Sequence, residues 1–415
     1  MNILIVGNSA AGVSAVEAIR KNDQTSTIVQ LSDERQSLYS RCLLSYYLSN
    51  TISKTGLQYR DEKFHQRMHV HLHTGKRAFG VDINRQQVTC NDGSIYPFDR
   101  LLIAAGSSAK LPDSIPKEID GVYVLRTIDD AEIIKKKIVQ VRNAVVLGGG
   151  LIGMKAACAL HDCGLKTKVI VRSNHVLSQM IDTEASQILI DQLVINGIEV
   201  LTQTDIVEIQ SMGNQLKAVR TEQGETIPCE ILIVAKGVQP NTELIQDTDI
   251  KKRWGIETNK FMQTNYENIF AAGDVAEAFD IATEGHTINA LWTSAVQQGR
   301  IAGLNMTGKT TPYYGTVGMN SLNINDIPLI SYGITFPKDA SRYKILTENR
   351  NWNNVYKKVV LENHRIKGII LLGKIGSAGV LLSLLRHKVD VSSFEDQLLS
   401  DQFNFGKLIR YGVVP

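Results

Sequence analysis

The chain has 415 residues, and at roughly 150 residues per domain about three domains are expected. Hydrophobic residues make up 43% and charged residues 21%, and 45 basic side chains against 42 acidic ones leave a net charge of +3. This composition excludes a disordered chain and offers no bulk charge for a nucleic-acid or membrane partner; five cysteines are too few for a disulfide scaffold and fit a reducing compartment.

The N-terminus, MNILIVG, opens on an apolar strand at Asn2 with no basic region or cleavage site ahead of it, which favours a cytoplasmic protein. Asn2 to Ile19 (NILIVGNSAAGVSAVEAI) reads as strand, glycine turn and alanine-rich helix, with a second strand at Thr27 to Leu31. His69 to Val88 is strand-rich, and HVHLH alternates polar with apolar residues. Its histidines lack a second ligand cluster, so an exposed strand face is expected and no metal site. Tyr96 to Gly106 (YPFDRLLIAAG) reads as turn, buried strand and glycine stop. Ala144 to Leu160 (AVVLGGGLIGMKAACAL) repeats the strand, turn and helix, and Lys168 to Val171 supplies the following strand. Cys229 to Asn241 (CEILIVAKGVQPN) and Asn268 to Ala276 (NIFAAGDVA) are further strands ending in turns. Past residue 312 come short strands and a terminal helical segment; the apolar stretch 368–385 is broken by Lys374 and glycines, so a strand, a turn and a buried helix are expected there and no membrane span.

The two glycine turns carry the chemistry. A pyrophosphate must approach the positive end of a helix closely enough to bond its free backbone N–H groups, and side chains would block it. Gly148, Gly150 and Gly153 fill G-x-G-x-x-G, with Leu151 and Ile152 inside it; Gly7 and Gly12 fill the outer positions of the first copy, where Ser9 takes the middle. One such turn is weak evidence, because tight turns need glycine everywhere. Two in matching strand and helix context point to two dinucleotide sites.

In order along the chain, GNSAAGVSAVEAIRK, YSRCLLSYYL, LLIAAG, GVYVLRTIDDA, GGGLIG, KGVQPN, FAAGDVA and LWTSAVQQGRIAGLNM resemble the FAD-dependent pyridine nucleotide–disulfide oxidoreductases, most of all the branch holding NADH:rubredoxin reductases and the flavin half of nitrite reductases. The resemblance covers nearly the whole chain. It implies an α/β fold of two nested Rossmann-like dinucleotide-binding domains plus a small α+β C-terminal domain. The FAD-binding domain would comprise residues 1–113 and 242–312, the NAD(P)H-binding domain 114–241 and the C-terminal domain 313–415. The implied cofactors are FAD and NADH or NADPH. Gly7, Ser9, Ala11 and Gly12 would hold the FAD pyrophosphate, Asp33 or Glu34 the AMP ribose, and Arg41 and Cys42 would face the flavin or its phosphates. Ala78, Ala105 and Gly106 would touch FAD through the backbone, and Gly273 and Asp274 would meet the ribityl chain, a helix cap being the alternative for Asp274. Leu291 and Trp292 would open a helix aimed at the flavin N1/O2 edge. Gly148, Gly150, Leu151, Ile152, Gly153 and Gly237 would line the nicotinamide dinucleotide site.

Three departures from the family pattern bear on mechanism. Cys42 stands alone, without the CxxxxC pair that some members carry on the helix after the first unit; it is either a flavin-facing thiol able to form a sulfenate or mixed disulfide, or a small apolar residue in a stretch, RCLLSYY, that lacks proline. Cys158 and Cys163 do have that spacing, but lie on the second unit's helix, where packing accounts for them. Lys155 replaces a glutamate common in relatives; it either raises the flavin potential by favouring the anionic reduced form, or is a solvated lysine. Arg172, followed by Ser173 and His175, stands where an acid would select NADH, which points to acceptance of NADPH or to an unliganded surface arginine.

The expected activity is transfer of electrons from NAD(P)H through FAD to a small electron-carrier protein of rubredoxin or ferredoxin type. An NADH oxidase, peroxidase or coenzyme A-disulfide reductase using Cys42, or an electron-transfer subunit with little turnover of its own, are the alternatives. Lys251, Lys252 and Arg253, or Lys135, Lys136 and Lys137, offer basic surface for an acidic carrier, and a homodimer is left open.

Overall fold

A computed structural model describes residues 1–410 apart from Ser37, Lys338 and Ala340. Among the described residues the helices are α1 (Ala10–Asn22), α2 (Leu44–Leu48), α3 (Phe64–Arg67), α4 (Ile128–Ile138), α5 (Leu151–Asp162), α6 (Thr183–Ile195), α7 (Trp292–Met306), α8 (Ala378–Arg386) and α9 (Phe405–Arg410). The chain divides into two compact units, one of Met1–Leu43, Ile52–Ser108 and Val238–Thr316, the other of Leu44–Thr51, Ala109–Gly237 and the chain from Val317 onward.

In the first unit, Asn2–Val6 forms a strand buried along almost its whole length, as an unbroken run of Ile, Leu and Val in the middle of a parallel sheet requires. The sheet order is Ile269–Ala271, Arg100–Ile103, Asn2–Val6, Thr27–Ser32, Val70–Thr74, all neighbours parallel. The strand carrying HVHLH is therefore at an edge, where His71 is exposed and the His73 ring lies 5.0 Å from that of Tyr96. α1 joins the two central strands and packs on α7 with small residues between: a Cβ on Gly299 would lie 2.1 Å from the Ala11 carbonyl oxygen, and one on Gly303 2.6 Å from that of Ala15. Each glycine inside a helix costs about 1 kcal/mol relative to alanine. Close backbone contact between the two helices offsets that cost. Arg20, in the last turn of α1, is buried and donates to the carbonyls of Ser26, Met68 and His69, which ties the helix end to the edge strand.

In the second unit a parallel sheet runs Glu199–Leu201, Lys166–Ile170, Asn143–Leu147, Ile231–Val234, Val122–Tyr123. The strand expected at Lys168 begins two residues earlier, because Lys166 already pairs with Asn143. Beyond Val317 a five-stranded antiparallel sheet has the order Met319–Ile324, Ile327–Gly333, Arg365–Leu372, Val355–Glu362, Lys344–Arg350. The stretch 368–385 is the end of a strand, a turn and α8, whose Val380, Leu381, Leu384 and Leu385 are buried. No helix among the described residues is long and apolar enough to cross a membrane.

Candidate functional site

The first glycine turn links Asn2–Val6 to α1. Gly7 has φ +122°, and a Cβ there would lie 2.1 Å from the Ala104 carbonyl oxygen; a Cβ on Gly12 would lie 2.1 Å from the Gly7 carbonyl oxygen. Both positions exclude any larger residue by backbone collision. Ser9 is the N-cap of α1, yet its side chain makes no capping bond and the first turn holds no acid. The turn is braced from outside by buried Gln30, whose amide donates to the Gly7 carbonyl at 2.9 Å, and by His65, whose Nε2 lies 2.9 Å from Asn8 Oδ1. Burial holds His65 below its ordinary value. Ala11 is buried against α7.

Of the two candidate ribose acids, Glu34 is already engaged: it pairs with Arg41 and accepts from the Tyr39 hydroxyl, whereas Asp33 is exposed. Burial alone would lower the Arg41 guanidinium, but Tyr39, Glu34 and Asp33 beside it prevail and raise it. Cys42 follows in a short 3-10 turn, Arg41–Leu43, and is exposed. Ala78 starts the strand Ala78–Asp82. The backbone at Ala105 and Gly106 is held by Asn241, whose side chain donates to the Ala105 carbonyl at 2.9 Å and whose N–H donates to that of Gly106 at 3.0 Å.

Gly273 donates its N–H to Gln298 Oε1 at 2.8 Å, and Asp274 accepts from Ser107 Oγ at 2.8 Å. Asp274 caps no helix; the strand Ala276–Asp280 follows it. Leu291 is the N-cap of α7 and makes no side-chain capping bond, and Trp292 starts the helix with its ring 4.9 Å from that of Tyr59, edge to face. The Tyr59 hydroxyl is buried without a hydrogen-bond partner, and burial pushes it well above the usual phenol range.

The second turn repeats the geometry. Gly148 has φ +124° and its Cβ would lie 2.3 Å from the Ala235 carbonyl oxygen, while one on Gly153 would lie 1.9 Å from that of Gly148. Gly150, the uncapped N-cap of α5, differs: it is exposed, and nothing stands within 4 Å of where its Cβ would be. Leu151 and Ile152 open the helix, Ile152 exposed, and Gly237 accepts from Lys110 N–H at 2.9 Å.

The helix ends sort into two kinds. α4 begins with a capping box on Thr127 and Asp130, and α6 with Asp182 accepting from the Ala185 N–H, each with acid in its first turn. α1, α5, α7 and α8 have neither a side-chain cap nor a first-turn acid, and of these α1 and α5 follow the two glycine turns. Orphan N–H groups at a helix start need an acceptor, which water or an anionic ligand can supply, and the helix dipole favours the anion. The bare ends and the open space at Gly150 therefore fit a dinucleotide at each glycine turn.

Lys155, on α5, is half-buried with its ammonium 5.4 Å from the Tyr46 ring centroid of α2. Arg172 is exposed just past Lys166–Ile170, but its expected companions are occupied: Ser173 Oγ donates to the His175 carbonyl at 2.8 Å, and buried His175 bonds the Ile181 carbonyl through Nε2 at 3.0 Å. Cys163, the C-cap residue of α5, directs its thiol at the Leu48 carbonyl at the end of α2. In one basic run Lys135 is engaged by Tyr47 and Asn50 and Lys137 by Asp120 while Lys136 is exposed; in the other, Lys251 and Lys252 are exposed while Arg253 pairs with Glu257 and buried Glu277. Among the described residues no cluster of three or more His, Cys, Asp or Glu is arranged to hold a metal. Sequence reasoning missed Gln30, Tyr59 and His65. None belongs to a motif or breaks a periodicity, so only Asn241, inside KGVQPN, carried a readable signal.

Residues 1–299 match the family model of the pyridine nucleotide-disulphide oxidoreductases, and residues 319–389 that of the rubredoxin NAD+ reductase C-terminal domain. The chain belongs to the pyridine nucleotide-disulphide oxidoreductase family, and is an oxidoreductase built on FAD and a nicotinamide dinucleotide. It is 28% identical over 403 residues to the assimilatory nitrate reductase electron transfer subunit of Bacillus subtilis, a match covering 96% of this chain and 51% of that protein. It therefore spans about half the length of that relative. It is 27% identical over 403 residues to the NADH-rubredoxin oxidoreductase of Clostridium acetobutylicum, covering 96% of this chain and 97% of that one. Its fold matches a chain of the covalent putidaredoxin reductase–putidaredoxin complex with a TM-score of 0.90 at 23% identity, covering 99% of this chain and 98% of that chain.

Proposed function

We propose that this protein passes electrons from NADH or NADPH through FAD to a small electron-carrier protein of rubredoxin or ferredoxin type. The observation that carries the reading is the pair of bare glycine-turn helices, α1 in one unit and α5 in the other, with open space at Gly150 where a ligand can approach the backbone. The match of residues 319–389 to the rubredoxin NAD+ reductase C-terminal domain and the names of the relatives support the carrier.

On this reading residues 1–113 and 242–312 form the FAD domain, 114–241 the NAD(P)H domain and 313–415 the third domain. The N–H groups opening α1, with Gly7, Ser9 and Gly12, hold one pyrophosphate; those of Gly150, Leu151 and Ile152 hold the other. Asp33 takes the AMP ribose, because Glu34 is committed to Arg41. Asp274, steadied by Ser107, would hold the ribityl chain, and the partial positive charge at the start of α7 would favour the negative charge that FAD gains on reduction. Bound FAD would supply the conversion of a two-electron hydride donor into single electrons for the carrier. Lys155 raises the potential of that step and Arg172 admits the 2′-phosphate of NADPH.

The test is anaerobic: flavin absorbance should bleach on adding NADH or NADPH, and the reduced protein should then reduce rubredoxin or ferredoxin. Bleaching without transfer to either carrier defeats the proposal. Exposure of Cys42 supports a second reading, an oxidase, peroxidase or disulfide reductase working through that thiol. Turnover with peroxide or coenzyme A disulfide that is lost in Cys42→Ser would establish it instead. An unchanged flavin potential in Lys155→Met would remove the role given to Lys155.

A further inference from the structure

We propose that the C-terminal sheet sets the choice between NADPH and NADH, with Tyr356 and Lys358 as positioning residues that act through Asp182 on the loop carrying Arg172. The inference rests on the coenzyme role proposed for Arg172. That loop, residues 172–182, runs from the end of Lys166–Ile170 to the N-cap of α6.

Its inner side is locked to the second glycine turn. Leu177 donates its N–H to the Gly149 carbonyl at 2.7 Å, and the Val171 side chain lies so close that a Cβ on Gly149 would meet it at 2.8 Å. Leu177 holds φ +53°, a conformation that a bulky residue adopts only when its surroundings impose it. A shift of the loop would therefore move both Arg172 and the turn expected to hold the coenzyme pyrophosphate.

The outer side is clasped by the strand Val355–Glu362 and its neighbours. Asp182 accepts from the Tyr356 hydroxyl at 2.7 Å and from the Lys358 ammonium at 2.9 Å while capping α6. The Lys358 ammonium also lies 5.6 Å from the centroid of the Phe336 ring, which is 6.1 Å from the ring of His175, the residue that bonds the loop to itself at Ile181. Along the same helix Asn349 donates to Glu184 at 2.9 Å. Asp182 and Lys358 are both largely buried, so neither partner is left in water to relax when the other goes. Arg172 is aimed by a loop whose two anchors are the glycine turn and the C-terminal sheet.

The experiment measures dissociation constants of NADP+ and NAD+ by calorimetry on the flavin-loaded protein, with KM and kcat for both reduced coenzymes. Tyr356→Phe, which leaves the Asp182–Lys358 pair intact, should weaken NADP+ about threefold or more with little change for NAD+, in KM and not in kcat. Lys358→Met should do so more strongly and Lys358→Arg should recover most of the loss; if Lys358→Met does not fold, Tyr356→Phe carries the test. An unchanged NADP+ to NAD+ ratio in Tyr356→Phe, alongside a shifted ratio in Arg172→Ala, overturns the inference. An unchanged ratio in Arg172→Ala as well overturns the coenzyme role on which it rests.

Discussion

The two glycine turns share their outer positions and differ in the middle. At Gly7 and Gly148, and again at Gly12 and Gly153, an added Cβ would strike a backbone carbonyl at about 2 Å in both units. These glycines are demanded by the fold itself, before any ligand. At the middle position the fold demands nothing: Gly150 faces open space, and the first unit carries Ser9 there without distortion of α1. Two thirds of the motif therefore report how a strand meets a helix, and only the middle residue reports how close a ligand comes.

Substitutions can break that distinction. The largest effect is expected at the third glycine: Gly153→Ala and Gly12→Ala should cost about 3 kcal/mol or more and leave little soluble protein. Melting temperature and yield would show it, and near-normal stability would refute the packing account. Gly150→Ala should melt within a few degrees of the parent but bind coenzyme about tenfold more weakly by calorimetry. A large loss of stability there would erase the difference between outer and middle positions.

The first turn alone leans on a titratable group, His65. Its folded value is depressed by burial, so its contribution is complete above the ordinary value of about 6.5 and is lost as pH falls through the lowered one. Melting should fall as pH drops below the ordinary value of about 6.5 in the parent and less in His65→Gln, with coenzyme binding at the second turn unaffected. The smallest effect is reserved for Ser9→Gly, which should leave stability unchanged and alter FAD retention by less than about twofold. A larger change would mean that the serine hydroxyl itself holds the ligand.

Much of the candidate site was legible because its requirements are local. A positive φ at Gly7 or Gly148, an apolar strand before it and an alanine-rich helix after it all fall within one short segment. Glu34 illustrates the limit. Its place near the end of Thr27–Ser32 suggested a ribose ligand, yet Arg41 and Tyr39 already engage its carboxylate. Similarly, Ser173 and His175 looked like donors for a 2′-phosphate, but their partners are the loop's own carbonyls. In each case the residue type was right and its partner was decided by a fold of the loop that no periodicity records.

By itself the sequence determined the two dinucleotide turns, the strands leading into them and the family, since hydrophobic period and glycine spacing act through neighbours in the chain. Only the tertiary structure decided which polar groups were already satisfied. Gln30 beneath Gly7, His65 beside Asn8, and Asp182 held by Tyr356 from 174 residues away were settled there. A buried polar group must find a partner wherever the packed chain offers one, and that partner's distance along the sequence has no bearing on the energy.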